Sequence, residues 1–370
     1  LGWSDGAVFA DYDNDGDLDL FVATSDNKTE KRLCVYRNKG DGTFQDLTST
    51  KNIYMRGFTP IIFDVDNDGD LDIYATSNYS KPSWIKLLLN DGSGNFSPAA
   101  NTGLEVALYD TRGAGVADFD NDGDLDVYIT DTNKIEDSQY YNHLFRNDLS
   151  GTANRWLKVY GYGPKGDLGA YGSKIWVFDH NYMEVLTHLV GFKEIFSTFG
   201  FCSQNDPLQH FGLGQRDLVD VKVKLTDGSV FKFFGVEAGS RLKFIKPSTI
   251  SLESGNEQSG SVSEPLPQPL TVKVVDRDNN PVMGVPIAFT VFSGGGILDP
   301  SGLLYSDKNG LAQARYTLGP EVGEQIVRVS TPMLADLYIN FWFQARSSNL
   351  CGNINDDGFI NSTDALIILS

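Results

Sequence analysis

The stretch that decides the reading is Asp11-Tyr12-Asp13-Asn14-Asp15-Gly16-Asp17-Leu18-Asp19. It recurs without gaps as Asp64-Val65-Asp66-Asn67-Asp68-Gly69-Asp70-Leu71-Asp72 and Asp118-Phe119-Asp120-Asn121-Asp122-Gly123-Asp124-Leu125-Asp126, at spacings of 53 and 54 residues. Each copy follows a short apolar run (Ala7 to Ala10, Ile61 to Phe63, Gly115 to Ala117) and precedes another (Leu20 to Ala23, Ile73 to Ala75, Val127 to Ile129). Each is therefore expected to be a loop joining two short strands. A second echo trails each loop: Val35-Tyr-Arg-Asn-Lys-Gly-Asp-Gly-Thr-Phe44, Leu87-Leu-Leu-Asn-Asp-Gly-Ser-Gly-Asn-Phe96 and Leu144-Phe-Arg-Asn-Asp-Leu-Ser-Gly151. A period of about 50 residues with about four strands per unit is that of a β-propeller blade, whereas solenoids usually repeat faster. Propellers have about 4 to 8 blades, so three imply either further blades upstream or an incomplete arc.

Five carboxylates within nine residues repel one another unless a cation sits among them. The expected ligands are the side chains at positions 1, 3, 5 and 9 and the carbonyl at position 7, with Gly at position 6 allowing the sharp turn. In the first loop these are Asp11, Asp13, Asp15, Asp17 through its carbonyl, and Asp19. The second loop offers Asp64, Asp66, Asp68, Asp70 through its carbonyl, and Asp72; the third offers Asp118, Asp120, Asp122, Asp124 through its carbonyl, and Asp126. An all-protein oxygen cage suits Ca2+ better than the smaller, more tightly hydrated Mg2+. The expected affinity is weak, about 10⁻⁴ to 10⁻³ M, and the expected role structural. The bland alternative is a solvated Asp/Asn/Gly turn; three copies in register between strands weigh against it.

These repeats resemble the FG-GAP/VCBS repeats of integrin-type and bacterial extracellular propellers, over residues 1–152. Residues 153–247 alternate like strands, and Ser203-Gln-Asn-Asp-Pro-Leu-Gln-His-Phe-Gly-Leu-Gly214, with Asn154-Arg-Trp-Leu-Lys-Val159 before it, resembles the ASPIC/UnbV domain. That family brings no assigned chemistry. Residues 248–268, rich in Ser, Glu, Gln and Pro, read as a linker. Residues 269–346 give short strands at sandwich-like spacing. With Asp276-Arg-Asp-Asn-Asn-Pro281, Ser293-Gly-Gly-Gly296 and Ser306-Asp-Lys-Asn-Gly310, they are similar to bacterial Ig-like domains of the invasin/intimin type, which imply a rigid spacer.

Residues 351–370 hold a different loop of twelve-residue spacing, with Asn353, Asn355, Asp357, Phe359 through its carbonyl, Asn361 and Asp364 as ligands. It resembles the first half of a type I dockerin and opens a helix. The resemblance implies a cohesin-type partner touched by Ser362 and Thr363; without it, these two residues are helix caps. The fold class expected is thus all-β: a partial propeller, a β-rich ASPIC/UnbV module, an Ig-like sandwich and the start of an α-helical dockerin loop.

The formal charge of −19, from 49 acidic and 30 basic residues, argues against nucleic acid or an anionic membrane as partner. Cys34, Cys202 and Cys351 are too few and too far apart for a disulfide framework or a C-x-x-C metal pair. No apolar run reaches membrane-spanning length. The chain opens at Leu1 without Met or a signal-like segment and stops mid-pattern at Ser370, so it reads as a fragment. No G-x-S-x-G, H-E-x-x-H or Walker loop occurs, and His143, His180, His188 and His210 read as packed or surface histidines. Asn27-Lys-Thr29, Asn78-Tyr-Ser80 and Asn361-Ser-Thr363 match the short glycosylation sequon.

The reading is a non-catalytic, secreted or cell-surface, bacterial-type calcium protein. It presents loops to an extracellular glycan or surface protein and plugs into a cohesin-bearing assembly. The alternative is the accessory part of a polysaccharide-degrading enzyme whose catalytic module lies upstream; a weaker third reading is a pure spacer.

Overall fold

A computed structural model describes residues 4–24, 33–51, 53, 58, 60–75, 87–100, 102–104, 111–131, 142–148, 153–200, 203–335 and 337–347. The dockerin-like loop, its ligands Asn353 to Asp364, Ser362 and Thr363, Cys202, Cys351 and the sequons at Asn27, Asn78 and Asn361 lie outside the described residues. Cys34 is a half-buried free thiol. The chain divides into two compact units, Leu1–Gly228 with Phe234–Lys243, and Ser229–Phe233 with Phe244–Ser370.

In the first unit, each repeat folds as the sequence pattern requires. Repeat 1 is an antiparallel meander of β1 (Ser4–Ala10), β2 (Asp19–Thr24), β3 (Cys34–Asn38) and β4 (Phe44–Asp46). Repeat 2 has the same order, with β5 (Pro60–Phe63), β6 (Asp72–Ala75), β7 (Leu87–Asn90) and β8 (Phe96–Pro98). Repeat 3 comprises β9 (Thr111–Ala117), β10 (Asp126–Asp131) and β11 (Asn142–Phe145). The register fixes the loops: Ala10 pairs with Asp19, Phe63 with Asp72 and Ala117 with Asp126, so each Asp-rich segment is the turn of a hairpin.

Alternation then decides which side chains meet the next repeat. Phe21 on β2 is fully buried with Ile62, Leu71, Ile73 and Leu88 of repeat 2, and Tyr74 on β6 with Val116, Leu125 and Val127 of repeat 3. Tyr128, which holds the same place on β10, is 44% exposed.

The rest of this unit has two sheets. One is ordered β15 (Gln209–Gly214), β12 (Arg155–Gly161), β18 (Ser240–Phe244); the other is β14 (Leu189–Glu194), β13 (Lys174–Asp179), β16 (Leu218–Lys224), β17 (Val230–Glu237). Val219, Val221 and Val223 on β16, with Ile175 and Val177 on β13, are fully buried at every second position.

The second unit also has two sheets. The first is ordered β19 (Thr249–Ser254), β21 (Leu270–Val275), β25 (Leu311–Thr317), β23 (Ile297–Asp299). The second is β20 (Gln258–Ser261), β27 (Tyr338–Arg346), β26 (Gly323–Ser330), β22 (Pro286–Ser293), β24 (Leu303–Tyr305). Tyr316 of one and Phe343 of the other meet at 5.2 Å between ring centroids. The stretch 248–268, expected as a linker, instead carries β19, antiparallel to β21, and β20, parallel to β27. A strand held by its backbone ladder needs few apolar residues; here Ile250 and Leu266 supply the burial.

Candidate metal centres

Each loop turns through two residues of positive φ. The Asn at position 4 sits at φ 53, 60 and 65 in Asn14, Asn67 and Asn121, a conformation Asn tolerates. Gly at position 6 sits at φ 91, 103 and 105 in Gly16, Gly69 and Gly123, where only glycine is unstrained. This winding folds the odd-numbered side chains inward. One carboxylate oxygen each from Asp11, Asp13 and Asp15 lies within 4.8 Å of the others. The same holds for Asp64, Asp66 and Asp72, and for Asp118, Asp120 and Asp122.

The oxygens are partly satisfied by the loops' own amides. Asp11 accepts from Asp15 N (3.1 Å) and Gly16 N (3.0 Å), and Asp64 and Asp118 from Gly69 N and Gly123 N (2.9 Å each). At position 5, Asp15, Asp68 and Asp122 each accept the amide of position 7 at 2.9–3.0 Å. Four buried carboxylate oxygens have no hydrogen-bond partner among the described residues: Oδ1 of Asp13, Asp64, Asp66 and Asp118. A buried anionic oxygen without a donor is costly, and a hard cation is a group that four of them could share these loops with. Burial pushes Asp11 up to about 8, with Asp15, Asp19 and Asp13 adding repulsion. Asp64, Asp13 and Asp68 are also raised, chiefly by burial. Asp70 and Asp124 rise to about 6, again by burial and neighbouring aspartates.

Position 9 has a second task that ligand counting missed. Asp19 accepts Tyr12 N and Asn38 N (3.3 and 2.8 Å), Asp72 accepts Val65 N and Asn90 N (both 2.9 Å), and Asp126 accepts Phe119 N and Asn147 N (2.9 and 2.8 Å). One oxygen thus holds the loop's own second amide while the other holds the amide of an asparagine at the end of the third strand or just past it. The side chains at position 7 also have work of their own. Asn14 Nδ2 donates to Asp70 Oδ1 (3.2 Å) and Gly69 O (3.4 Å) of the next loop, and Asn67 Nδ2 to Asp124 Oδ1 (2.7 Å) and Gly123 O (3.2 Å). The echo asparagines run the other way: Asn90 Nδ2 reaches Tyr12 O (2.9 Å) and Asn147 Nδ2 reaches Val65 O (2.7 Å). The three loops form one hydrogen-bonded chain.

The segment 203–214 also finds its role. Gly212 lies against the second loop so closely that a Cβ would meet Asp64 Oδ2 at 1.9 Å. Gly214 N donates to Asn67 O (2.8 Å), and Asn154 Nδ2 to Asp66 O (2.9 Å). His210 is buried, and burial with the nearby Lys193 pushes its pKa down to about 3. As neutral imidazole it donates Nε2–H to Gly123 O at 2.9 Å. The expectation of a packed histidine holds for His210; His180 and His188 are half-exposed, each 2.9 Å from a carboxylate (Asp220 and Asp179).

Comparison with known proteins follows the same division. FG-GAP-like repeats match residues 11–75 and 64–129, and the ASPIC and UnbV domain matches 163–251. The chain is therefore an all-β protein of FG-GAP-like repeats followed by an ASPIC/UnbV domain. It is similar to cartilage acidic protein 1 of Xenopus tropicalis, 26% identical over 235 residues, covering 61% of this chain and 34% of that protein. It is similarly related to cartilage acidic protein 1 of Homo sapiens, 26% identical over 234 residues, with 61% and 33% covered. The chain thus spans about a third of the length of these curated relatives. The D00-D0 domain of intimin aligns at 12% identity over 55% of this chain and 90% of that one, with a TM-score of 0.22, which carries no argument about fold. Among the described residues no helix is long and apolar enough to cross a membrane.

Proposed function

We propose that the Asp loops are calcium sites and that the chain is an extracellular, non-catalytic binding protein whose repeats calcium stiffens. The observation that carries this reading is the set of buried carboxylate oxygens left without donors where positions 1 and 3 converge. Asp11, Asp13 and Asp15 would hold the ion in the first loop, Asp64, Asp66 and Asp72 in the second, and Asp118, Asp120 and Asp122 in the third. A donor set made only of hard oxygens fits Ca2+. When bound, the ion neutralises the clustered carboxylates. The chain's own residues do the rest: position 9 pins each loop to a strand, and position 4 passes its orientation to the next loop.

Likeness to proteins named for cartilage supports an extracellular setting, as does a chain of strongly acidic balance. The second unit as an Ig-like spacer, a glycan or surface protein as ligand, and a cohesin-type partner for residues 351–370 are parts of the same proposal. They rest on the sequence resemblances. Isothermal titration of the full chain with calcium tests the core of it. Binding with a Kd of about 10⁻⁴ to 10⁻³ M is expected, with one equivalent removed by Asp66→Ala; absence of binding heat at millimolar calcium contradicts it.

A further inference from the structure

We infer that Lys158 is a built-in counter-cation of the third loop, weakening calcium binding there and tying that loop to strand β12 whether or not calcium is present. This inference rests on the calcium reading of the loops. Lys158 lies on β12, and its Nζ donates to Asp118 Oδ2; both side chains are only 2% exposed. The same oxygen accepts Gly123 N at 2.9 Å, while Oδ1 has no partner. Lys158 is the register partner of His210 on β15, whose ring holds Gly123 O. The domain thus grips the first and sixth residues of the third loop from two adjacent strands. Trp156 closes the site, its indole filling the space a Cβ on Gly123 would need and its ring 4.8 Å from Lys158 Nζ.

In the other two loops no lysine bonds the position-1 aspartate directly among the described residues. In the first, Asp11 takes only loop amides, and Arg37, which contacts Asp13 at 3.0 Å and Asp15 at 3.1 Å, is 44% exposed and free to swing into water. In the second, Leu89 replaces that arginine, and Asp64, Asp66 and Asp68 make no direct ion pair among the described residues, although the buried Lys193 favours the charged form of Asp64 from nearby. The nearby Lys193 gives its ammonium to His210 O. Lys158 has no water to retreat into. A divalent ion sharing Asp118 would face a fixed ammonium in a poorly solvated site, and that repulsion weakens the third loop relative to the other two.

Calcium and terbium titrations of the full chain test this, with tryptophan-sensitised terbium emission from Trp156 reporting the third loop. Lys158→Met is expected to bind calcium at the third loop at least about tenfold more tightly than the parent chain, whereas Lys158→Arg should match the parent. If Lys158→Met folds only when calcium is supplied, the exchange of ammonium for calcium is confirmed directly. Equal affinity at the third loop and equal sensitised emission in all three chains overturn the inference while leaving the calcium reading intact. A Lys158→Met chain that stays unfolded in saturating calcium overturns it as well. No binding by any of them removes the calcium reading and the inference with it.

Discussion

At the residue scale, the aspartates divide into two sets. Asp13, Asp64, Asp66 and Asp118, at positions 1 and 3, each keep a buried oxygen without a donor; those at position 9 bond two amides each. This division has a pH consequence in the absence of divalent ions. Unfolded aspartates ionise near 3.8, whereas burial keeps Asp11 and Asp72 protonated up to about 8 and Asp19 up to about 7 in the fold. A raised folded-state pKa means that the native chain binds more protons across that window, so stability is fullest below pH 3.8 and is lost as pH rises towards 8. The urea midpoint of the metal-free chain is expected to fall over this range. Saturating calcium should flatten or reverse the trend, because it binds the deprotonated carboxylates. The convergence of aspartates such as Asp11, Asp13 and Asp15 was legible in the sequence because their alternate spacing before a glycine turn brings them to one side. The stapling role of Asp72 and the left-handed Asn67 were not, since both bond to residues that only the folded hairpin brings near.

At the scale of elements, the strands flanking each loop follow the apolar runs from which they were read, from Ile61–Phe63 to Val127–Ile129. What a single repeat cannot reveal is the bonding between repeats. Asn67 links the second loop to Asp124 of the third, as Asn14 links the first to Asp70. Asn67→Ala and Asp124→Ala are therefore expected to be non-additive in a denaturation cycle, with a coupling of about 0.5 to 3 kcal/mol; additivity would show that the repeats stand independently. The stretch 248–268 was misread for a related reason: Gln258–Ser261 is a strand by virtue of its partner β27, and partners are invisible to local composition.

At the scale of the molecule, the FG-GAP-like repeats and the ASPIC/UnbV domain share the loops. The words Gln-His-Phe-Gly-Leu-Gly and Asn-Arg-Trp-Leu-Lys were recognisable as a domain signature, yet nothing in one dimension tells that His210, Gly212, Trp156 and Lys158 close over Asp64, Gly123 and Asp118. Ligand binding to the native state alone adds stability by mass action, about 2.7 kcal/mol at a hundredfold excess over Kd, and adds it where the ligand binds. Amide hydrogen exchange of the full chain with and without calcium therefore tests the central claim most directly. Calcium is expected to slow exchange at Gly16 and Gly69 and in β1, β2, β5 and β6, while β21, β25 and β26 are unchanged. Identical exchange in calcium and in chelator across both loops would contradict it.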